Sequence, residues 1–292
     1  MKKRNFKSII HSLLIIALFG LVIVSCNDED PINEDTAATL ELSAYSQAEI
    51  DDVSEGINDI IENIYFDVEN QVASKNEASK STSVLKFIPD CVIITKVITG
   101  NTKNITVDFG DGCTMHNGNV LSGKIIMDIT FNGGELKAII ESSFNNLYFN
   151  GNKVEGVVTK TLTVVNGIPE ANINSDIKII WEDETFATIT GERKRVWIEG
   201  FGNLHFGDNV FLVSGNWTIT KKDGTVRNVS TVEPLRREMS CRYIVSGIVK
   251  IEQGDKEITV DYGDGECDDL AHALIDERSI EFHIGQHRIR HF

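Results

Sequence analysis

Two cysteine pairs, each set around a predicted β-hairpin, constrain the fold of this chain more than any other feature. Cys91 matches Cys113, and Cys241 matches Cys267, because each pair flanks two alternating apolar segments joined by a Gly-containing turn. Across a hairpin, the numbers of two facing residues average to the number at the centre of the turn. If each cysteine faces its partner, the turn centres are at residues 102 and 254. Each cysteine then faces its partner across the foot of its own hairpin, within disulfide range. Two pairs of reduced, buried thiols remain the alternative.

The two hairpins also resemble each other in sequence. Residues 105–113 read ITVDFGDGC and residues 258–267 read ITVDYGDGEC. A weaker repeat relates FNNLYF at residues 144–149 to FGNLHF at residues 201–206. The order hairpin, short repeat, short repeat, hairpin is palindromic, whereas solenoid repeats keep the same order along the chain. The pattern therefore predicts one pseudo-symmetric β domain.

Residues 85–292 alternate between strand-like segments and short turns, and no segment among them resembles a crossover helix. The turn at Asp223-Gly224 is a strong two-residue hairpin signal. Strands joined by such turns pair in antiparallel fashion. The sequence predicts a mainly β fold: an antiparallel curved sheet or partly closed barrel with an internal pseudo-symmetric repeat, preceded by one N-terminal amphipathic helix.

That helix is predicted over residues 46–75. Isoleucine and valine recur every three or four residues from Ile50 to Val68 and form one apolar stripe, while acidic and Asn residues occupy the other face. Ser46, with Glu49 three residues later, fits an N-cap in a capping box. We expect the stripe to pack on the β domain, with a partner-binding helix as the alternative. The polar residues 76–84 are predicted to form a linker.

The N-terminus determines the expected location of the protein. A cationic start at residues 1–4, an apolar run at residues 9–24 and Ser25 before Cys26 resemble a bacterial lipoprotein signal, in which the cysteine is lipidated. An uncleaved membrane anchor is the alternative, but the run is shorter than the about 20 residues that cross a bilayer. We predict a signal peptide at residues 1–25, membrane attachment through lipid at Cys26, and an acidic tether at residues 26–45.

Removal of the signal peptide makes the chain more acidic and its cysteine count even. Four cations leave, so the formal charge of −16 becomes −20. Phosphate backbones repel such a chain, and no nucleic-acid partner is expected. With Cys26 set aside, two of the five cysteines remain for each hairpin. Disulfides are the usual state of such pairs outside the cytoplasm.

The Asp-aromatic-Gly-Asp-Gly motif has two interpretations. The glycines permit a sharp turn, and the aspartates can accept hydrogen bonds from the backbone of that turn. Alternatively, clustered carboxylates bind calcium, the one cofactor that the sequence suggests. The candidate calcium ligands are Asp108, Asp111, Asp261, Asp264, Glu266 and Asp268.

Catalytic signals are weak, and the chain is not predicted to be an enzyme. It has no serine nucleophile elbow, zinc-protease helix or phosphate-binding loop. Three histidines spaced by four lie in a strand-like context, which argues against a shared metal ion; they are His283, His287 and His291. Five aromatic residues could stack on sugars or belong to the core; they are Trp181, Trp197, Trp217, Phe201 and Phe206.

Several stretches resemble a family of uncharacterised Bacteroidota outer-membrane lipoproteins. They are residues 107–113, 196–202, 233–237, 241–247 and 261–268. The resemblance implies export, lipid anchoring and a β-rich domain, but no activity. Acidic residues after Cys26 are similar to the surface-export signal of that phylum, which implies exposure at the cell surface, with a periplasm-facing protein as the alternative. Residues 280–284 depart from the usual closing hairpin of the family.

The sequence thus favours a lipid-anchored, non-enzymatic protein of the outer membrane that binds a ligand or partner, either a glycan or a protein. A structural component of an envelope assembly is the alternative, with the helix and the sheet edges as interfaces. A glycan-acting hydrolase ranks below both, because it needs two carboxyl groups facing each other across a cleft. A pocket lined by Trp and carboxylates would favour ligand binding.

Overall fold

The structure is a computed structural model that describes residues 34–73, 88–131, 138–201, 206–275 and 278–285. The predicted signal peptide, Cys26, the linker at residues 76–84 and the histidines His287 and His291 lie outside these residues. No helix in the described part of the chain is long and apolar enough to cross a membrane.

In the described part of the chain, fourteen strands form one antiparallel sheet that follows the order of the sequence with one exception. The strands are β1 (Ile93–Thr99), β2 (Thr102–Asp108), β3 (Cys113–Thr114), β4 (Val120–Phe131), β5 (Ala138–Phe149), β6 (Asn152–Val165), β7 (Ile168–Ile180), β8 (Phe186–Glu199), β9 (Val210–Lys221), β10 (Val226–Glu238), β11 (Ile244–Gln253), β12 (Lys256–Asp264), β13 (Leu270–Ile275) and β14 (Arg278–His283). Each strand pairs with the strands before and after it in sequence, except around β3. This short strand pairs only with β4, and β4 also pairs directly with β2. Among the described residues, the edge strands β1 and β14 do not pair with each other, so the sheet is open. The predicted fold class is confirmed, in its curved-sheet form.

Glycines at two bulges allow the sheet to bend. Gly123 lies at a register shift between β4 and β5, and Gly247 lies at one between β11 and β12. Their φ angles are 81° and 110°, which side chains rarely adopt. A β-carbon at Gly123 would overlap the carbonyl oxygen of Asn146. Bulges bend a strand and increase its twist, so only glycine suits these positions.

The N-terminal helix, α1 (Glu34–Ala73), is longer than predicted. It includes residues 34–45, so the prediction of an acidic tether there is wrong. Ser46 is not an N-cap, because it lies inside the helix, where its hydroxyl donates to the carbonyl oxygen of Ser43 and accepts from Nη1 of Arg227 at 2.6 Å. The apolar stripe from Ile50 to Ile64 is buried, as predicted.

The acidic face of α1 is buried as well. Helix residues 50–64 are almost all below one-tenth exposure, on every side of the helix. The ring of Phe149 in β5 lies against Gly56, and the rings of Tyr45 and Phe282, in β14, are 4.7 Å apart. Because strands from different parts of the sheet contact α1, the sheet must curve around it. The helix is therefore part of the core: the predicted packing of its apolar stripe on the β domain is confirmed, and the alternative of a partner-binding helix is wrong.

Both predicted disulfides are present, although the hairpin register differs from the expected one. Cys91 and Cys113 have α-carbons 5.7 Å apart, and Cys241 and Cys267 have theirs 5.6 Å apart. Thr99 pairs with Thr102, which moves the first turn centre from residue 102 to the peptide between residues 100 and 101. In the second hairpin the centre moves to the peptide between residues 254 and 255. The cysteines are therefore not opposite each other in the hairpin ladders: Cys91, Cys241 and Cys267 lie outside the strands, and Cys113 lies in β3, which pairs with β4.

Candidate functional site

A buried ionic network joins α1 to the inner face of the sheet. Four carboxylates lie on one face of the helix because they recur every three or four residues; they are Asp51, Glu55, Asp59 and Glu62. Four cations of the sheet face them, and these are Lys160 in β6, Arg193 and Arg195 in β8, and Arg237 in β10. All eight side chains are less than one-twentieth exposed. The sequence analysis did not predict this network.

Arg195 lies at the centre of the network. Its Nη1 donates to Glu55 at 3.2 Å and its Nη2 donates to Asp59. The guanidinium group also lies 4.0 Å from the centre of the Phe211 ring, in a cation–π contact. Burial alone would lower the pKa of Arg195, but the charges of Glu62, Asp59 and Glu55 outweigh burial and raise this pKa. The residue is therefore a permanent cation held by three acids.

Arg193 and Arg237 bind the carboxylates of α1 on either side of Arg195. Arg193 donates to Asp51 at 2.8 Å and to Glu55 at 3.2 Å, and Arg237 donates to Asp59 at 2.7 Å. Burial raises the pKa of Asp51 even though Arg193 opposes this effect. Burial would also raise the pKa of Asp59, but the charges of Arg237 and Arg195 lower it. Neighbouring acids therefore differ in pKa because different numbers of cations contact them.

An apolar pocket of about 290 Å³ lies beside this network. Side chains of α1 and of β4 to β9, together with Phe201, form its walls. Six of the lining residues are aromatic, namely Tyr65, Phe66, Phe131, Trp197, Phe201 and Phe211. Aliphatic side chains such as Leu162, Val164 and Ala171 complete the lining. A concave, largely apolar cavity with few polar groups has the character of a small-molecule site.

Besides Tyr65, the lining residues with polar or charged side chains are Glu62, Thr163, Glu170 and Arg195. Oε2 of Glu62 and Nε of Arg195 are 3.2 Å apart, which is the distance of an ion pair. Neither atom makes a hydrogen bond with the described residues, because the contact between them lacks hydrogen-bond geometry. We regard the contact as electrostatic only. Glu170 is paired with Lys194 at 2.8 Å.

The three tryptophans are buried, as expected for core residues, but one of them belongs to the pocket. The ring of Trp197 lies 4.9 Å from Phe66, 5.1 Å from Phe201 and 5.4 Å from Phe211. Phe201 is 55% exposed and forms the rim. Trp217 lies under Arg193, and the indole of Trp181 donates to Glu49. The side chain of Phe206 lies outside the described residues.

The candidate calcium ligands form turns instead of a metal site. Among the described residues, no group of three or more His, Cys, Asp or Glu side chains is arranged to hold a metal ion. In the two hairpins, Asp108 and Asp261 accept hydrogen bonds from the amides of Gly110 and Gly263. Lys124 and the Gly110 amide lower the pKa of Asp108.

The remaining candidate ligands are also dispersed. Asp264 and Asp268 accept from the amides of Glu266 and Leu270, and Asp111 lies in the tight turn after Gly110. The structural interpretation of the motif therefore replaces the calcium hypothesis. His283 is in strand β14 and pairs with Asp269 at 2.8 Å, a hydrogen bond that raises its pKa.

Comparisons with known proteins do not indicate a function for this chain. No family model, no curated protein and no solved structure matches this chain. One signal in the sequence could have revealed the network: Arg193 and Arg195 occupy positions of β8 that share the period of the buried residues Ala187 and Ile189. A cation at an inward position is expected to pair with a buried acid, and in this structure α1 supplies the acids.

Proposed function

We propose that this protein is a lipid-anchored, non-enzymatic binding protein that holds a small apolar ligand in the pocket beside Trp197. The observation that carries the proposal is the ring-lined cavity of about 290 Å³. Its volume is roughly twice that of a 150 Å³ engineered cavity that binds benzene, and it opens to solvent at the rim, so a molecule of two or three rings or a short branched chain is of suitable size. The lipoprotein signal supports attachment to the outer membrane.

The lining favours an apolar ligand over the other candidates. A glycan would need many hydrogen-bonding groups, whereas this wall is mostly aromatic and aliphatic. A hydrolase would need two acids available on either side of a substrate. The acids of this wall are instead held by cations, Glu62 by Lys160 at 3.0 Å and Glu170 by Lys194. The pocket therefore supports binding better than hydrolysis.

Filling the pocket is expected to weaken the binding of an apolar probe. The neutral fluorophore N-phenyl-1-naphthylamine should bind the mature chain and brighten, because the cavity removes it from water. Ala171 lies on the pocket wall, and Ala171→Leu should weaken binding about tenfold or more by occupying that space. A fluorescence titration measures the effect. The matched control is Asn172→Leu, whose exposed side chain lies on the other face of β7 and should leave binding unchanged.

Two outcomes would contradict this proposal. The first is a wild-type chain that gives no fluorescence increase. The second is an Ala171→Leu variant that binds as tightly as the wild type while retaining its melting temperature. Equal losses in both variants would indicate a general effect on β7, and the pocket would lose its support.

The anchoring part of the proposal rests on Cys26. Cys26→Ser is expected to move the protein from the membrane fraction to the soluble fraction, because the residue that accepts the lipid is gone. Ser25→Ala keeps a small residue before the cysteine and should leave the protein in the membrane. Fractionation and immunoblotting of cells expressing each form measure this. A Cys26→Ser protein that stays in the membrane fraction would refute lipid anchoring.

A further inference from the structure

The buried part of the pocket wall and its exposed part differ in what they offer to a ligand. We infer that the ligand is an amphiphile with a single polar end, and that it binds with its apolar end against the buried wall and its polar end at the mouth. The inference rests on the proposed function of the pocket, and it adds the class of the ligand and the direction in which it lies.

The buried part of the wall, which we call the floor, offers an apolar surface. It consists of Glu62, Ala138, Ala171, Arg195, Trp197 and Phe211. Four of these side chains are aliphatic or aromatic, and the indole N–H of Trp197 already donates to a backbone carbonyl group. The charged ends of Glu62 and Arg195 contact each other and other members of the ionic network. A polar group of a ligand on the floor would therefore lose its water without gaining a partner, which is unfavourable.

The accessible polar side chains of the lining lie at the mouth. Glu170 in β7 is opposite Thr163 in β6, and both are partly exposed. Nζ of Lys194 contacts Glu170 at 2.8 Å, and the side chains of Lys194 and Glu170 are 46% and 16% exposed. A polar group of the ligand at this level stays in contact with water. Because Lys194 and Glu170 balance each other's charge, the mouth should accept polar ends of either sign.

Two exposed apolar side chains indicate how far the apolar part of the ligand extends. Val164 and Phe201 line the pocket, yet they are 41% and 55% exposed. Exposed apolar side chains that continue an apolar cavity indicate a surface that a ligand covers. A ligand that filled only the floor would leave both side chains in water. The apolar part of the ligand therefore reaches from the floor to the level of Phe201.

Other distributions of polar groups fit this wall less well. A hydrocarbon without a polar group would leave an apolar end in the water at the mouth, where it gains nothing from binding. A molecule with polar groups at both ends, or with one in the middle, would have to bury a polar group against the floor. One polar end and one apolar end match the two parts of the wall.

Isomeric alcohols test the direction of binding on the mature chain. The Cys26→Ser form is suitable, because it needs no detergent that would compete for the pocket. Displacement of N-phenyl-1-naphthylamine is measured with 1-nonanol and 5-nonanol, which have the same composition and differ in the position of the hydroxyl group. We expect 1-nonanol to bind about tenfold more tightly, because 5-nonanol has to bury its hydroxyl group. Nonanoate and nonyltrimethylammonium should bind within about tenfold of each other, because their charged ends stay in water.

The outcomes separate this inference from the proposed function. Equal affinities for the two alcohols, or tighter binding of 5-nonanol, would overturn the inferred direction and leave apolar binding intact. A larger than about tenfold difference between the two charged amphiphiles would overturn the placement of the polar end in water. Binding of the fluorophore without displacement by any amphiphile would overturn the inference alone. No binding of the fluorophore or of any amphiphile would overturn the proposed function.

A series of chain lengths tests the placement of the apolar end on the floor. From 1-pentanol upward, each added methylene should strengthen binding by about fourfold until the chain fills the pocket, and further methylenes should add little. Ala171→Leu narrows the floor and should end this gain about three methylenes earlier, the difference in size between the two side chains. Isothermal titration calorimetry measures the series, because the fluorophore is expected to bind this variant weakly.

The control for this series is Asn172→Leu, on the other face of β7, which should lose the gain at the same chain length as the wild type. A wild-type protein whose affinity does not rise with chain length would refute the placement of the apolar end. An unchanged limit in a folded Ala171→Leu protein would refute it as well. If that variant does not fold, the wild-type series and the isomeric alcohols still decide the inference.

Discussion

Replacing Arg195 by Met is expected to lower the free energy of unfolding by about 3–5 kcal/mol, the cost of breaking a buried ion pair from one side. Methionine approximates the length of arginine, so the main loss is charge and hydrogen bonding. Glu55, Asp59 and Glu62 would each lose their contact with this cation while remaining in the interior. The cation–π contact with Phe211 would also be lost.

Arg236→Met is the matched control for this prediction. Arg236 also contacts two acids, Glu199 and Glu238, at 2.9 and 2.7 Å, but these pairs lie at the surface. Exposed pairs contribute about 0–1 kcal/mol, and this variant should be nearly as stable as the wild type. Urea unfolding followed by tryptophan fluorescence measures both. Equal losses in the two variants would contradict the central role assigned to Arg195.

Local patterns were sufficient to predict the hairpins and their disulfides. The alternation of strand residues and the Gly-containing turns depend on near neighbours, and the two copies of the cysteine motif supported one another. The exact register could not be derived in the same way. Turn centres derived from the cysteine positions assumed that Cys91 faces Cys113 in the β1–β2 ladder, whereas Cys91 precedes β1 and Cys113 lies in β3.

The position of the helix depended on contacts far apart in sequence. Acidic residues opposite an apolar stripe normally indicate a solvated face, and this rule gave the wrong environment for Asp51, Glu55 and Asp59. Their partners in β8 and β10 are more than a hundred residues away in the chain. The sheet surrounds α1 and supplies cations at those positions, so both faces of the helix are buried.

The pocket was beyond sequence analysis for the same reason. Its walls come from α1 and from six strands, and no local pattern shows that Tyr65, Leu162 and Phe211 share one cavity. Trp197 was singled out as an aromatic residue, but nothing in its neighbourhood distinguished it from Trp181 or Trp217. Functional residues that belong to one sequence motif can be identified from the sequence. A cavity whose walls come from distant segments cannot.

Removing either disulfide is expected to lower the free energy of unfolding by about 3 kcal/mol. The bonds join residues separated by 22 and 26 positions, and the cross-link restricts the unfolded chain by an amount that grows slowly with loop length. The variants are the double replacements Cys91→Ala with Cys113→Ala, and Cys241→Ala with Cys267→Ala. Urea unfolding of each, compared with the oxidised wild type, measures the loss.

The combination of both pairs tests whether the hairpins act independently. The first disulfide closes the β1–β2 hairpin and the second closes the β11–β12 hairpin, which share no strand. Effects at sites without shared partners usually add, so the quadruple replacement should cost about 6 kcal/mol. A reducing agent should destabilise the wild type by a similar amount and leave the quadruple variant unaffected. A shift of that variant in reductant, or a wild type that is insensitive to reduction, would show that the stability of these hairpins does not depend on their disulfides.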